Sequence, residues 1–163
     1  MTSIEIIKTQ IELVKKQTDE LIEKIELSKW NVTPEIIETN MNWQIGHIIL
    51  ANYLHGIASI SGANDEIREK LNIKDFIKFY GLKSNPSSHI NEKPKNEKLK
   101  DIYIFIFELI WLELKKVKES DLNEKTEIPN PGANTKYEAL MMLFKHQSWH
   151  NGQLAILNRI LNK

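Results

Sequence analysis

The sequence predicts an all-α protein in which four long helices form one four-helix bundle. Four segments carry apolar residues at helical spacing. An irregular stretch of about 35 residues separates the second segment from the third, which is long enough to cross a bundle. The length of 163 residues suits one hydrophobic core. We therefore assign residues 1–163 to a single helical-bundle domain.

The first two helices are separated by a polar connection. Helix 1 is predicted over residues 3–27, because apolar residues recur at helical spacing among lysines and acids. Residues 28–41 are predicted to be a connection, since Pro34 disfavours helix for the residue before it. A short helical turn over residues 34–38 is an option. Helix 2 is predicted over residues 42–61.

Residues 62–96 are the least regular part of the sequence. Short helices are predicted over residues 64–71 and 74–79, followed by a loop over residues 81–96 that is rich in Asn, Ser, Lys and Pro. His89 falls in this loop, and we expect it to be exposed. Such a long crossover lets helices 2 and 3 run parallel. We also expect it to border the entrance to a site.

Helix 3, predicted over residues 97–120, is apolar on all sides in its middle. Eleven of the thirteen residues from 102 to 114 are apolar or aromatic, but the run is too short and too interrupted by glutamate for a membrane span. A helix of this kind needs two apolar partners. We expect a homodimer that uses helix 3. The alternative is a central helix that the crossover covers.

The last helix follows a predicted loop over residues 121–134. It opens at Thr135, which forms a predicted capping box with Glu138. Trp149 is expected to pack inside the protein rather than to contact a substrate. The predicted inner face of this helix combines apolar and polar residues: Ala139, Met142, Leu143, His146, His150, Gln153, Leu154, Leu157 and Leu161.

Three histidines are predicted to face the core. His146 and His150 lie one helical turn apart on the same face of the last helix. His47 lies on the inner face of helix 2, next to Gly46, which serves either a close helix contact or ordinary packing. Buried imidazoles need hydrogen-bond partners or a cation. Three neutral imidazoles leave one open position on a divalent metal, as in catalytic sites. His55 is predicted at the edge of the core rather than as a fourth ligand.

The motifs around these histidines resemble a known family. The Trp-x-x-Gly-His segment at residues 43–47 and the His-x-x-x-His-x-Gly-Gln segment at residues 146–153 resemble the DinB-like (DinB/YfiT-like) superfamily of four-helix-bundle metalloproteins. The resemblance implies up-down-down-up helix order, with the long crossover between helices 2 and 3. It also implies that His47, His146 and His150 are the metal triad.

The resemblance extends to chemistry, because characterised members include thiol S-transferases and a thiol-dependent isomerase. We therefore expect a metal-dependent enzyme that transfers a low-molecular-weight thiol to an electrophilic small-molecule substrate. The sequence has no cysteine, which fits an external thiol. The alternatives are a non-catalytic metal-binding or stress-response protein, and a metal-dependent hydrolase.

Two glutamines beside the histidines bear on which reaction the site could catalyse. Gln147 stands where a zinc peptidase needs its glutamate base, which argues against peptide hydrolysis. Gln153 is predicted to bind substrate or a metal-bound water, with capping of a backbone group as the alternative. Three imidazoles accept zinc, nickel or iron, and also cobalt or copper. We expect one divalent ion, with no general base assigned.

Charge and composition bear on the remaining partners. Lys+Arg and Asp+Glu both number 22, and only Arg68 and Arg159 are arginine. This balance gives no basis for binding nucleic acid or an anionic membrane. The N-terminal residues lack the basic start and apolar run of a signal peptide. We expect a cytoplasmic protein.

Overall fold

The computed structural model describes residues 1–63 and 65–163, and the mostly helical class is confirmed. Helix α2 continues from an α-helical part through a π-helical turn to a short last turn. The helices are α1 (Ser3–Lys24), α2 (Met41–Tyr53, Leu54–Ala58 and Ser59–Ser61), α3 (Asp65–Lys70), α4 (Ile73–Tyr80), α5 (Asn96–Lys116) and α6 (Lys136–Leu161). Short 3-10 turns cover Leu27–Lys29 and Glu119–Asn123, and the strands are β1 (Lys125–Asn130) and β2 (Ala133–Thr135).

The two terminal helices pack against each other and both begin with a capping box. At α1, the Thr2 hydroxyl accepts from the backbone N–H of Glu5, whose carboxylate accepts from the Thr2 backbone. At α6, Thr135 and Glu138 form the same pair, as predicted. These bonds satisfy amides that the first helical turn leaves free. They fix where each helix begins.

Helix α2 lies in the centre and contacts α4, α5 and α6. Its predicted end is confirmed, since Gly62 has a positive φ of 86° after Ser61. Gly46 faces the fully buried Tyr80 ring so closely that a Cβ there would overlap the ring. Gly46 therefore permits close approach, and the partner is an aromatic side chain from α4.

The crossover contributes its own part of the core. Its short helices α3 and α4 agree with the predicted ones, although Asn64, the first residue of the first prediction, lies outside the described residues. His89 is exposed, as predicted. The described residues of the crossover bury five large apolar side chains: Ile67, Leu71, Phe76, Phe79 and Tyr80. It is a packed segment that covers α2 as well as a connection.

Helix α5 ends at Lys116, earlier than the predicted residue 120. Most of its apolar residues are buried, but Ile104 is 42% exposed and Leu112 is 48% exposed. The ring of Phe105 lies 3.8 Å from Nζ of Lys70 on α3, so the crossover covers part of this helix. Among the described residues, no helix is long and apolar enough to cross a membrane.

The prediction of a loop over residues 121–134 was wrong. A 3-10 turn leads into β1, which pairs antiparallel with β2. The Asn130 side chain closes the hairpin, because its Oδ1 accepts from the Gly132 N–H at 2.9 Å. Pro131 and Gly132 form the turn, and Pro129 lies within β1. This strand is polar and half-exposed, so it lacks the apolar alternation that identifies a strand.

A buried polar network joins the four long helices. Gln147 on α6 is fully buried and accepts from Nδ2 of Asn52 on α2 at 2.8 Å. Its own Nε2 donates to Thr18 on α1 at 2.6 Å and lies 3.5 Å from the Tyr103 hydroxyl on α5. The Thr18 hydroxyl donates to Asn151 on α6 at 2.7 Å. Hydrogen bonds of this kind have defined geometry, so they fix the rotation of each helix.

Two glycine substitutions test the close packing of α2. Gly46→Ala is expected to lower the free energy of unfolding by about 1–3 kcal/mol, because the added methyl overlaps the Tyr80 ring. Gly152→Ala is the matched control, since it lies in α6 with no atom within 4 Å of an added Cβ. It is expected to raise the free energy of unfolding by about 0.5–1 kcal/mol. Urea unfolding followed by circular dichroism measures both. Equal effects would contradict the assigned packing.

Candidate metal centre

Three imidazoles meet between α2 and α6. The Nε2 atoms of His47 and His146 are 3.2 Å apart, and those of His150 and His146 are 3.3 Å apart. One ring nitrogen from each histidine falls within a group no wider than 4.8 Å. His47 and His150 are buried, and His146 is half-buried. The structure thus brings together the three predicted residues.

The spacing of these nitrogens fits a shared metal ion. Two imidazole nitrogens that each lie about 2.1 Å from one ion are about 3.0–3.4 Å apart for bond angles between 90° and the tetrahedral angle. The two separations that involve His146 fall in this interval, and the nitrogens of all three histidines lie within 4.8 Å of one another. Lone pairs that face one another repel unless a proton or a cation lies between them. A divalent cation satisfies all three at once.

Hydrogen bonds behind two of the histidines orient their free nitrogens. Nδ1–H of His47 donates to the Tyr80 backbone carbonyl at 2.7 Å, and Nδ1–H of His150 donates to Oε1 of Gln44 at 2.5 Å. The proton on Nδ1 leaves the lone pair on Nε2, which faces the cluster. The Trp43 ring stacks on His47 with centroids 4.8 Å apart and planes 6° apart. The ring orientations are therefore set by the protein.

The Gln44 amide bonds to three neighbours in one consistent orientation. Its Nε2 donates to the Thr39 hydroxyl at 2.8 Å and to Oε1 of Gln153 at 2.6 Å. These bonds leave Oε1 as the acceptor for His150. Neither Gln44 nor the Tyr80 carbonyl was predicted from the sequence. A glutamine within a largely apolar helix was a usable sequence signal for Gln44, which is 1% exposed in the structure. A backbone carbonyl has no such signal.

The site environment favours neutral imidazoles. Burial lowers the pKa of His47, against an opposing hydrogen bond to Tyr80. Burial, and then the proximity of His47 and His55, lower the pKa of His146 to about 4. Burial, and then His146 and His47, lower the pKa of His150 to about 3, although a hydrogen bond with Gln153 opposes the shift. At neutral pH the cluster can bind a cation without first releasing protons.

A cleft of about 950 Å³ lies behind these supporting residues. Segments 33–39 and 82–87 form its walls, and Trp43, Gln44 and Gln153 also line it. The crossover therefore borders a cleft that Trp43 and Gln44 separate from the histidines, since none of the three histidines lines it. Gln153 is exposed instead of lying on the inner face, because it extends α6 beyond His150 toward this opening. Gln153 is linked to the histidines by Gln44, whose amide donates a hydrogen bond to it.

Three further residues differ from expectation or refine it. Gln147 points into the buried network, on a different side of α6 from the histidines. Trp149 is 57% exposed, so the prediction that it packs inside was wrong; it lies on the outer side of α6 with Nζ of Lys145 4.9 Å from its ring. His55 is buried rather than at the core edge, and it lies outside the three-histidine group.

The lowered histidine pKa values predict a pH dependence for the stability of the metal-free protein. His146 and His150 have an ordinary pKa of 6.5 when unfolded, against about 4 and about 3 when folded. Between these values the unfolded chain binds more protons, so acidification below 6.5 lowers the free energy of unfolding. Each group contributes up to about 1.4 kcal/mol per pH unit.

Urea unfolding of metal-free protein between about pH 7 and about pH 5 measures this slope. His146→Asn is expected to lose less stability on acidification than the wild type, because one perturbed imidazole is gone. An identical slope for both proteins would contradict the assigned burial of His146.

Comparison with known proteins agrees with the fold. The DinB superfamily model matches residues 10–154, which include all three histidines. A crystal structure of the conserved protein of a locus from Enterococcus faecalis is similar, with a TM-score of 0.74 and 15% identity over 99% of this chain and 98% of that one. This similarity concerns the fold. No curated protein matches the chain. The chain belongs to the DinB superfamily.

Proposed function

We propose that this protein is a metal-dependent enzyme that transfers a low-molecular-weight thiol to an electrophilic small molecule. The proposal depends on one observation, the convergence of three Nε2 atoms from His47, His146 and His150. Zinc, nickel and iron are the proposed ions, since neutral imidazoles accept each of them. The up-down-down-up helix order and a cytoplasmic location remain part of this proposal.

The charge of the ligand set supports an acidifying role for the ion. Three neutral imidazoles, backed by the neutral oxygens of Tyr80 and Gln44, leave the charge of a divalent cation uncompensated. Such a cation acts as a Lewis acid that lowers the pKa of a thiol. The protein residues supply position, since Trp43 stacking and the two Nδ1–H bonds hold the imidazoles in place.

The adjoining cleft supports a small-molecule substrate. Its volume of about 950 Å³ lies at the upper end of the range for small-molecule sites. Its walls mix hydroxyl and amide groups with apolar side chains, and Gln153 is the proposed substrate contact. In the reaction the thiol sulfur bonds to the electrophilic carbon. The leaving group departs with the bonding electron pair, and the thiol proton passes to solvent.

A thiol-transfer assay tests the proposal. Protein reconstituted separately with zinc, nickel and iron is supplied with a test electrophile and cysteine or a bacillithiol-like thiol. Conversion is expected only with thiol present, and it should be lost on chelation and in His150→Ala. His89→Ala, in the exposed loop, should keep wild-type activity. Turnover without thiol would favour the hydrolase, and no turnover with bound metal would favour a non-catalytic metal-binding protein.

We also propose that the protein forms a homodimer through α5. The support is that Ile104 and Leu112 remain 42% and 48% exposed. They lie about two turns along the helix and about 80° round it from each other, with exposed Glu108 between them. The double substitution Ile104→Lys and Leu112→Lys is expected to convert a dimer into a monomer in analytical ultracentrifugation. Exposed Ile36→Lys and Ile77→Lys form the control. A wild-type monomer at micromolar concentration would overturn the proposal.

The balanced charge and scarcity of arginine support the absence of nucleic-acid and membrane partners. On this proposal, the protein does not bind duplex DNA measurably, even at low salt.

A further inference from the structure

The His55 imidazole has a fixed tautomer. Nδ2–H of Asn130 donates to Nδ1 of His55 at 2.8 Å and to Oγ of Ser59 at 2.9 Å. Oδ1 of Asn130 accepts from the Gly132 N–H at 2.9 Å, so turning the amide round would lose that bond. Nδ1 of His55 is therefore an acceptor. In a neutral imidazole the proton then lies on Nε2.

His146 also has an N–H group without an acceptor. Its Nε2 faces the cluster, so a bound metal leaves the proton on Nδ1. That Nδ1 is buried and has no hydrogen-bond partner among residues 1–63 and 65–163. The matching nitrogens of His47 and His150 donate to oxygens of Tyr80 and Gln44. Metal-bound histidines almost always donate their second N–H. His146 therefore needs an acceptor.

The position of His55 places its ring beside His146 and beyond the cluster. Helices α2 and α6 run antiparallel, because Gln44 contacts Gln153 near the start of α2 and Gly56 contacts Leu143 further along it. His55 adjoins Gly56, so it approaches His146 from the end of the site opposite Gln44. The two ring centroids are 6.2 Å apart.

The gap between the two rings matches one bridging oxygen. Ring nitrogens that point at each other across a 6.2 Å centroid separation are about 4 Å apart, and rings turned slightly off that line are further apart. That is too long for a direct hydrogen bond, and both nitrogens are donors. A water oxygen that accepts two bonds of about 2.9 Å separates its donors by about the same amount. Its two lone pairs match the two N–H groups.

We propose that His55 is a positioning residue for His146, in which Nε2–H of His55 and Nδ1–H of His146 donate to one shared water oxygen. This water accepts the Nδ1–H bond of His146, in the way that Tyr80 and Gln44 accept those of His47 and His150. Asn130 acts one step further out, by keeping the proton of His55 on Nε2. The inference rests on the proposed binding of a metal by the three histidines.

Nitrogen-15 NMR of zinc-loaded, histidine-labelled protein tests the tautomers directly. The expected spectrum has the proton on Nε2 of His55 and on Nδ1 of His146. An unprotonated Nε2 on His55 in the wild type would overturn the inference. This measurement needs no substitution, so it remains decisive where a variant fails to fold.

Zinc affinity, measured by competition with a chelator, tests the positioning role. His55→Leu is expected to weaken zinc binding about 10–100-fold. His55→Gln should stay within about threefold of wild type, because its amide N–H replaces Nε2–H. His89→Leu is the control on an exposed loop. Equal affinity of wild type and His55→Leu overturns this inference alone. A wild type that binds no zinc overturns the proposed metal site, and this inference with it.

Discussion

The buried hydrogen bonds of Gln147 set the orientation on which the candidate site depends. The side chain is fully buried and bonds to Thr18 on α1 and Asn52 on α2. An unsatisfied buried amide is costly, so α6 cannot rotate freely about its axis. When Gln147 faces this network, the two histidines that flank it in the sequence, His146 and His150, face α2. One polar residue thus couples the packing of the bundle to the direction of two imidazoles.

The crossover performs the corresponding task for the third imidazole. Tyr80, the last residue of α4, packs its ring against Gly46 and offers its carbonyl to His47. The next segment, residues 82–87, forms one wall of the cleft. The bond from Nε1 of Trp43 to Oγ of Ser84, 2.7 Å long, ties that wall to α2. The same segment therefore completes the core, orients a ligand and shapes the cleft.

Much of this organisation could be predicted from the sequence, and the exceptions have physical causes. The helices followed from apolar spacing, and the histidine cluster followed from the positions of His47, His146 and His150 on inner helix faces. The Tyr80 carbonyl carries no sequence signal, because only the course of the crossover brings it to His47. The hairpin was missed because its strands are short and polar. Trp149 was misplaced because successive helical residues point about 100° apart, so the residue before buried His150 faces outward.

The central claim is that the three histidines bind one metal ion. Metal content by plasma mass spectrometry tests it, on untagged wild type, His47→Ala and His89→Ala after zinc reconstitution and dialysis. His47 is informative because it lies on α2, whereas His146 and His150 share α6 and can bind adventitious metal as a pair. We predict about one zinc per chain in the wild type and His89→Ala, and little in His47→Ala. Little metal in the wild type, or full retention in His47→Ala, would contradict the account.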